Sequence, residues 1–195
     1  TTVEYDSRGS LLSDSVFALD YASGKTIWGY DLQLQKLDKI RLSNDGSRIL
    51  LLTGWSTVII LDVKDGKPVD RYSAADRIYG AAFKGNRNDL YSGMVAKGGQ
   101  YHIQGFSGTV AAFSYKFFES HYPFRVFEMD KEGNYAAVAY PEDSRFYVIQ
   151  LGQGMPMREV KINARVLAFS PDGKWLASGS FSGGFIKLYS FPSLD

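Results

Sequence analysis

Val166-Leu-Ala-Phe-Ser170-Pro-Asp-Gly173-Lys-Trp-Leu-Ala-Ser178-Gly-Ser180, followed by Phe185-Ile-Lys-Leu-Tyr189, is the stretch on which the fold turns. Two short runs rich in apolar residues flank Ser-Pro-Asp-Gly. Pro presets one turn dihedral, Asp bonds its own backbone, and Gly supplies the positive φ that a tight turn requires. The reading is strand, turn, strand, short loop, strand.

The pattern recurs along the chain. Gly24 in Tyr21-Ala-Ser-Gly-Lys25, Gly66 in Lys64-Asp-Gly-Lys67 and Gly108 in Phe106-Ser-Gly-Thr109 follow one another at intervals of 42 residues, and Gly152-Gln-Gly154 is a looser fourth copy. A second series interleaves with the first: Ser43-Asn-Asp-Gly46, Lys84-Gly-Asn-Arg-Asn88, Asp130-Lys-Glu-Gly133 and Ser170-Pro-Asp-Gly173. A unit of about 40–45 residues holding four short strands is the signature of a β-propeller blade.

Strands are expected at Val16–Asp20 and Thr26–Leu32. Four follow in each of three repeats: Lys39–Leu42, Arg48–Thr53, Val58–Val63 and Val69–Tyr72; Ile78–Phe83, Asp89–Met94, Tyr101–Phe106 and Thr109–Phe117; Phe124–Met129, Tyr135–Tyr140, Phe146–Leu151 and Arg158–Ile162. Val166–Phe169, Trp175–Ser180 and Phe185–Phe191 close the series. Ile49–Leu52 and Val58–Leu61 are apolar on both faces, as suits strands sandwiched between neighbouring sheets. No segment carries a helical period. The fold class is therefore all-β, a propeller of four-stranded antiparallel blades, with one domain over residues 1–195 and repeats near 11–34, 35–75, 76–120, 121–163 and 164–195.

Val166–Tyr189, and Ile40–Leu52 followed by Val58-Ile-Ile-Leu-Asp-Val63, resemble the inner strands of WD40 blades. The Gly-His pair and terminal Trp-Asp of that family are absent; the corresponding ends are Leu61-Asp62-Val63 and Leu188-Tyr189-Ser190. Val16-Phe-Ala-Leu-Asp20-Tyr-Ala-Ser-Gly24-Lys-Thr-Ile-Trp28 resembles the repeat of quinoprotein (PQQ-type) propellers. Leu61-Asp62-Val-Lys-Asp-Gly66-Lys67 repeats part of it, with Arg71 where the Trp would stand. Trp28 is expected to wedge between adjacent blades.

The repeats fill four to five blades. Either the C-terminal three strands are completed by Thr26–Leu32 in a tight ring of four blades, or the chain is part of a seven- or eight-bladed ring, which at the observed period needs about 300 residues. The larger ring is the favoured reading, and it requires another propeller segment or subunit over the exposed sheet edge.

Composition excludes several functions. With 22 Lys+Arg against 21 Asp+Glu, the net charge of +1 offers no electrostatic case for nucleic acid. There is no Cys, hence no disulfide and no thiol chemistry. No apolar run is long enough to insert directly into a membrane as a helix.

Catalytic signatures are sparse. His102 and His121 lack clustered carboxylates, and no nucleophile elbow occurs. Lys97-Gly-Gly99 and Ser182-Gly-Gly184 open no helix, so neither reads as a phosphate loop. The PQQ-type resemblance implies a Ca²⁺ site of clustered oxygen ligands plus residues gripping the quinone, and no such constellation is legible. No catalytic residue, metal ligand or cofactor is assigned.

Binding residues are easier to nominate. Phe117-Phe118-Glu-Ser-His121-Tyr122-Pro-Phe124 reads as an aromatic linker between blades. Aromatics exposed on loops mark contact surfaces. Trp55 sits in a loop at one face, Phe181 follows the Trp175–Ser180 strand, and Arg77 and Arg165 stand at the starts of innermost strands, where they would line a central channel. The expectation is a non-catalytic interaction scaffold or complex subunit with protein partners. The alternative is a quinoprotein-like propeller that binds a cofactor or small ligand in its channel, as an oxidoreductase relative.

Overall fold

The computed structural model describes residues 2–5, 11–33, 35–74, 77–84, 90–96, 100–107, 110–119, 124–152, 157–180 and 183–195. Among them lie eighteen strands, one 3-10 turn (Pro141–Asp143) and no α-helix. The chain divides into two compact units, residues 1–75 and 76–195, at the boundary between the second and third sequence repeats.

The first unit holds two sheets. β1 (Thr2–Tyr5), β2 (Leu11–Leu19) and β3 (Thr26–Asp31) form one, in that order; β4 (Leu37–Leu42), β5 (Arg48–Thr53), β6 (Thr57–Asp62) and β7 (Pro68–Ser73) form the other. Val16, Trp28 and Leu32 pack on Leu51, Ile59 and Leu61 between them. Both faces of β5 and β6 are buried along Leu50–Leu52 and Val58–Leu61, as their doubly apolar sequence requires.

The second unit holds three sheets. β8 (Arg77–Phe83), β9 (Leu90–Ala96), β10 (Gln100–Ser107) and β11 (Val110–Glu119) make the first. β12 (Val126–Met129), β13 (Tyr135–Tyr140), β14 (Arg145–Gln150) and β15 (Met157–Val160) make the second. β16 (Val166–Phe169), β17 (Trp175–Ser180) and β18 (Phe185–Ser190) make the third. All pairing is between sequence neighbours and antiparallel. β12 lies against both β8 and β16, so the first strands of three consecutive sheets are neighbours. An aromatic core around Phe124, Phe127, Tyr140 and Tyr147 fills the space between the first two sheets. Val126, Ala137 and Phe146 meet Leu167, Leu176 and Tyr189 between the second and third.

Two turns repeat with the same hydrogen bonds and give each strand its rank. After β4, β12 and β16, the residue at the turn start both donates to and accepts from the residue five places on: Ser43 N–H to Arg48 O (2.9 Å), Asp130 N–H to Tyr135 O (3.1 Å) and Ser170 N–H to Trp175 O (2.9 Å). Its side-chain oxygen takes the return N–H: Ser43 Oγ from Arg48, Asp130 Oδ1 from Tyr135, Ser170 Oγ from Trp175. The other turn joins β2 to β3 and β6 to β7. Gly24 donates to Asp20 O and Gly66 to Asp62 O, and Asp20 and Asp62 donate to Lys25 O and Lys67 O. The complete β4–β7 sheet carries both turns, as its first and third connections. By that measure β16–β18 are the first three strands of a blade, and β1–β3 are the last three of another.

Three expectations change. The first repeat has an additional strand, β1, and β2 begins at Leu11. β11 runs on to Glu119, so Phe117 and Phe118 belong to a strand rather than a linker. Thr26–Asp31 pairs with β2 in a sheet of its own, and does not complete the C-terminal three strands. Its rank explains this: it is already the fourth strand of its own blade.

Candidate interaction surfaces

The structure distributes the nominated residues unevenly. Phe124 is a correction: it is fully buried, its ring 5.1 Å from that of Tyr79 and 6.1 Å from that of Tyr140. It enters between two sheets just before the innermost strand, and a core ring presents nothing to a partner. Phe117 pairs with Tyr101, and Phe118 is the extra residue of a β-bulge against Gln100–Tyr101, a place where strands bend. The structure describes their backbone alone. His121, Tyr122 and Phe181 lie outside the described residues.

Trp55 is 37% exposed in the turn between β5 and β6. Its backbone is left-handed, at φ +58°. That conformation costs a non-glycine residue about 1–3 kcal/mol, and local bonds hold it. Asp38 Oδ2 accepts the Trp55 N–H at 2.7 Å, and Lys36 O accepts the Gly54 N–H at 3.0 Å.

Arg77 and Arg165 are exposed at the starts of β8 and β16. The Arg77 guanidinium stands 5.8 Å from the centroid of the Tyr79 ring, a cation–π distance. The Arg165 backbone is anchored by a 2.8 Å bond from its N–H to Gly179 O. The structure adds Arg125, which the sequence reading passed over. It precedes β12, is exposed, donates its N–H to Ala139 O at 2.9 Å, and faces Glu142 Oε1 at 3.3 Å. The signal was in the repeat: Arg125 and Arg165 are 40 residues apart, each five places before its turn residue, Asp130 or Ser170.

One contiguous apolar surface was not nominated by the sequence reading. On the face of β16–β18 turned away from β12–β15, Val166, Gly179 and Ile186 stand side by side in register. Ala168, Ala177 and Leu188 form the next row. Ile186 is 82% and Leu188 66% exposed. Val166, Ala168, Ala177, Gly179 and Ile186 line a groove of about 760 Å³. The face of β2–β3 turned away from β4–β7 likewise exposes Phe17, Leu19 and Ile27. Isolated exposed hydrophobes are ordinary; contiguous rows are not.

The ionisable groups serve the turns. Hydrogen bonds from Ser47 N–H and from the Ser43 and Ser47 hydroxyls hold the Asp45 carboxyl down to about 2. Asp172 is lowered by the Ser170 hydroxyl and the Lys174 N–H. Asp130 is the exception: burial pushes it up despite the N–H groups of Tyr135 and Asn134. Among the described residues no group of three His, Cys, Asp or Glu is placed to hold a metal ion.

The sequence matches no protein-family model and no curated protein. Among solved structures the chain is similar to the β-propeller domain of Cps50 (Swd1) from Myceliophteria thermophila, with a TM-score of 0.74 and 15% identity over 99% of this chain and 65% of that one. It is also similar to hydrazine synthase of Kuenenia stuttgartiensis, with a TM-score of 0.71 and 16% identity over 96% of this chain and 63% of that one. The chain therefore spans a little under two thirds of the length of either. With the repeated blade turns, these likenesses establish the fold as a β-propeller of four-stranded antiparallel blades.

Proposed function

We propose that the chain is a segment of a larger propeller and works without catalysis, as an interaction scaffold whose terminal sheets meet a further propeller segment or protein subunit. The observation that carries this reading is the outer face of β16–β18. Its inner face packs Leu167, Leu176 and Tyr189 against the preceding sheet. Its outer face offers two in-register apolar rows to water. A sheet apolar on both sides is stable only when both are covered, as β5 and β6 are. The greater length of the matched propellers supports the same reading. Within this reading Trp55, Arg77 and Arg165 are contact residues.

Native mass spectrometry and sedimentation of the isolated 195-residue chain test it. The expected result is concentration-dependent association that a charge on the outer face of β16–β18 abolishes. A monodisperse monomer that melts as one cooperative unit overturns the segment reading. Turnover in a dye-reduction assay after addition of PQQ and Ca²⁺ overturns the non-catalytic one.

A further inference from the structure

We propose that the free edge of β18 binds an extended segment of a partner protein, which pairs antiparallel as the fourth strand of that blade and sets an acidic residue opposite Lys187. The inference rests on the scaffold reading and gives one of its partners a geometry and a chemistry.

The edge is open where it is closed elsewhere. By rank β18 stands where β6 and β14 stand, and those are flanked by β7 and β15, whereas among the described residues β18 pairs with β17 alone. Val58–Leu61 of β6 and Phe146–Ile149 of β14 are all buried; Ile186, Lys187 and Leu188, at the first three of those positions, are exposed. The backbone is open too. Phe191 donates its N–H to Lys174 O, towards β17, and Ser190 donates its N–H to Asp195 O, on the other side. Backbone groups alternate along an antiparallel strand, so the N–H and C=O of Leu188 and Ile186 point out from the edge. Such a row is a template for an added strand.

The turn that leads into a fourth strand is already built. Ser190 N–H to Asp195 O (3.1 Å) and Leu194 N–H to Ser190 O (2.7 Å) reproduce the two bonds that close the β2–β3 turn at Asp20 and the β6–β7 turn at Asp62. Leu194 holds the positive φ, +63°, that Gly24 and Gly66 hold there. Arg158 of β15 fixes this turn by donating to Pro192 O and Ser193 O, and the Phe191 ring packs on Tyr135 and Phe169. Asp195 therefore stands where Lys25 and Lys67 stand, at the head of a fourth row whose next positions lie along Leu188, Lys187 and Ile186.

The side chains set what fits. Ile186 and Leu188 point to the outer face and Lys187 to the other. Their counterparts in β2 are Val16 and Ala18, which face Tyr30 and Trp28, and Phe17, which faces Gly29. In the neighbouring blade the place of Lys187 is held by Tyr147, and Glu159 faces it. The fitting segment is thus apolar, acidic, apolar: its large side chains extend the two outer rows, and its carboxylate meets the Lys187 ammonium across the strands. Arg158 adds a cation on the side towards β12–β15, and Glu159 is engaged by Arg145. Asp195 lies beside Ser190, three positions from Lys187 and about 10 Å along the strand.

Fluorescence anisotropy on the full chain uses labelled Lys-Thr-Ile-Trp-Glu-Tyr-Asp-Leu, the sequence of Lys25–Leu32 with Gly29→Glu. The expected result is saturable binding. Leu32 donates to Asp14 O, so by alternation the Tyr amide of the peptide faces β18 and the Glu amide faces away. N-methylation at Tyr should weaken binding at least about tenfold; N-methylation at Glu should leave it unchanged. K187E should weaken the Glu peptide about threefold and strengthen a peptide with Lys at that place by a similar factor. Circular dichroism and a urea melt confirm that K187E folds. No binding, equal binding of the two methylated peptides, or no effect of K187E on the choice between Glu and Lys peptides each overturns the proposal. So does protection of the Ile186 and Leu188 amides from hydrogen exchange that grows with chain concentration without peptide, since a second copy would then fill the edge. The scaffold reading is decided by association of the chain without peptide, so a chain that associates yet binds no peptide fails this inference alone.

Discussion

The indole N–H of Trp28 donates a 2.7 Å hydrogen bond to the carbonyl oxygen of Val63, thirty-five residues away in the β6–β7 turn of the neighbouring sheet. The ring fills the space between the two sheets of the first unit, and the bond orients it there. Trp28→Ala should cost about 3–5 kcal/mol by leaving a cavity where the ring was. Trp28→Phe should keep much of the packing and lose the hydrogen bond, about 1 kcal/mol. Urea melts of both variants measure the difference, and a Trp28→Phe variant as stable as the wild type would mean that the bond contributes nothing.

The same ring makes two equivalent glycines unequal. Gly24 and Gly66 hold the same turn at φ +68° and +70°, but a side chain at Gly24 enters open space, whereas at Gly66 it comes within 2.6 Å of the Trp28 ring. Gly24→Ala should cost about 1 kcal/mol, the conformational penalty alone. Gly66→Ala should cost more, by the further strain of overpacking, about 1–3 kcal/mol. Parallel chemical denaturation decides the order.

The apolar rows on β16–β18 predict an effect on association without one on folding. Ile186 is 82% exposed, so Ile186→Asp should change the stability of the isolated chain by less than about 0.5 kcal/mol. It should nevertheless lower self-association or partner capture, read by sedimentation velocity. Leu176→Asp, in the buried face of the same sheet, should unfold the unit instead.

Acid should weaken the turns. Asp20, Asp45, Asp62, Asp65 and Asp172 all have lowered pKa values, each chiefly through hydrogen bonds from its own turn. A carboxyl depressed in the folded state contributes stability that is complete above its unfolded value, about 4, and is lost as pH falls through its folded one. For Asp45 that window closes near 2. Asp130 acts in the opposite sense, because burial favours its protonated form in the folded state. The midpoint of thermal unfolding should therefore fall between about pH 4 and pH 2, and Asp45→Asn should flatten that limb.

The turns were legible because their chemistry is local. Ser-x-Asp-Gly contains its own acceptors and its own positive φ, so Ser43–Gly46 and Ser170–Gly173 reveal themselves within four letters. What escaped depends on partners distant in sequence. Phe124 looks like part of an aromatic linker until Tyr79, forty-five residues earlier, is found against it. β1 is too short to stand out and exists by pairing with β2. The outer apolar face of β16–β18 is invisible in the letters, because Val166, Ala177 and Ile186 read as core whichever side of the sheet is covered. Arg125 was hidden for a simpler reason: alone it is one more surface charge, and only its alignment with Arg165 gives it meaning.

The two turn types also fix the phase of the molecule. The interval from Gly24 to Gly66 is a full period of 42 residues running from one third-to-fourth-strand hairpin to the next, so it holds one blade's worth of chain cut in the turn before the fourth strand. Removing or duplicating that interval would change the number of blades by one while leaving every remaining strand at its original rank. A cut of the same length placed elsewhere in the period would do the same, but a cut of half a period would join a first strand where a third belongs and leave all that follows two ranks out of place. Length in this protein is thus quantised, and whatever varies in it by natural insertion or by design is free to do so in whole blades or within loops.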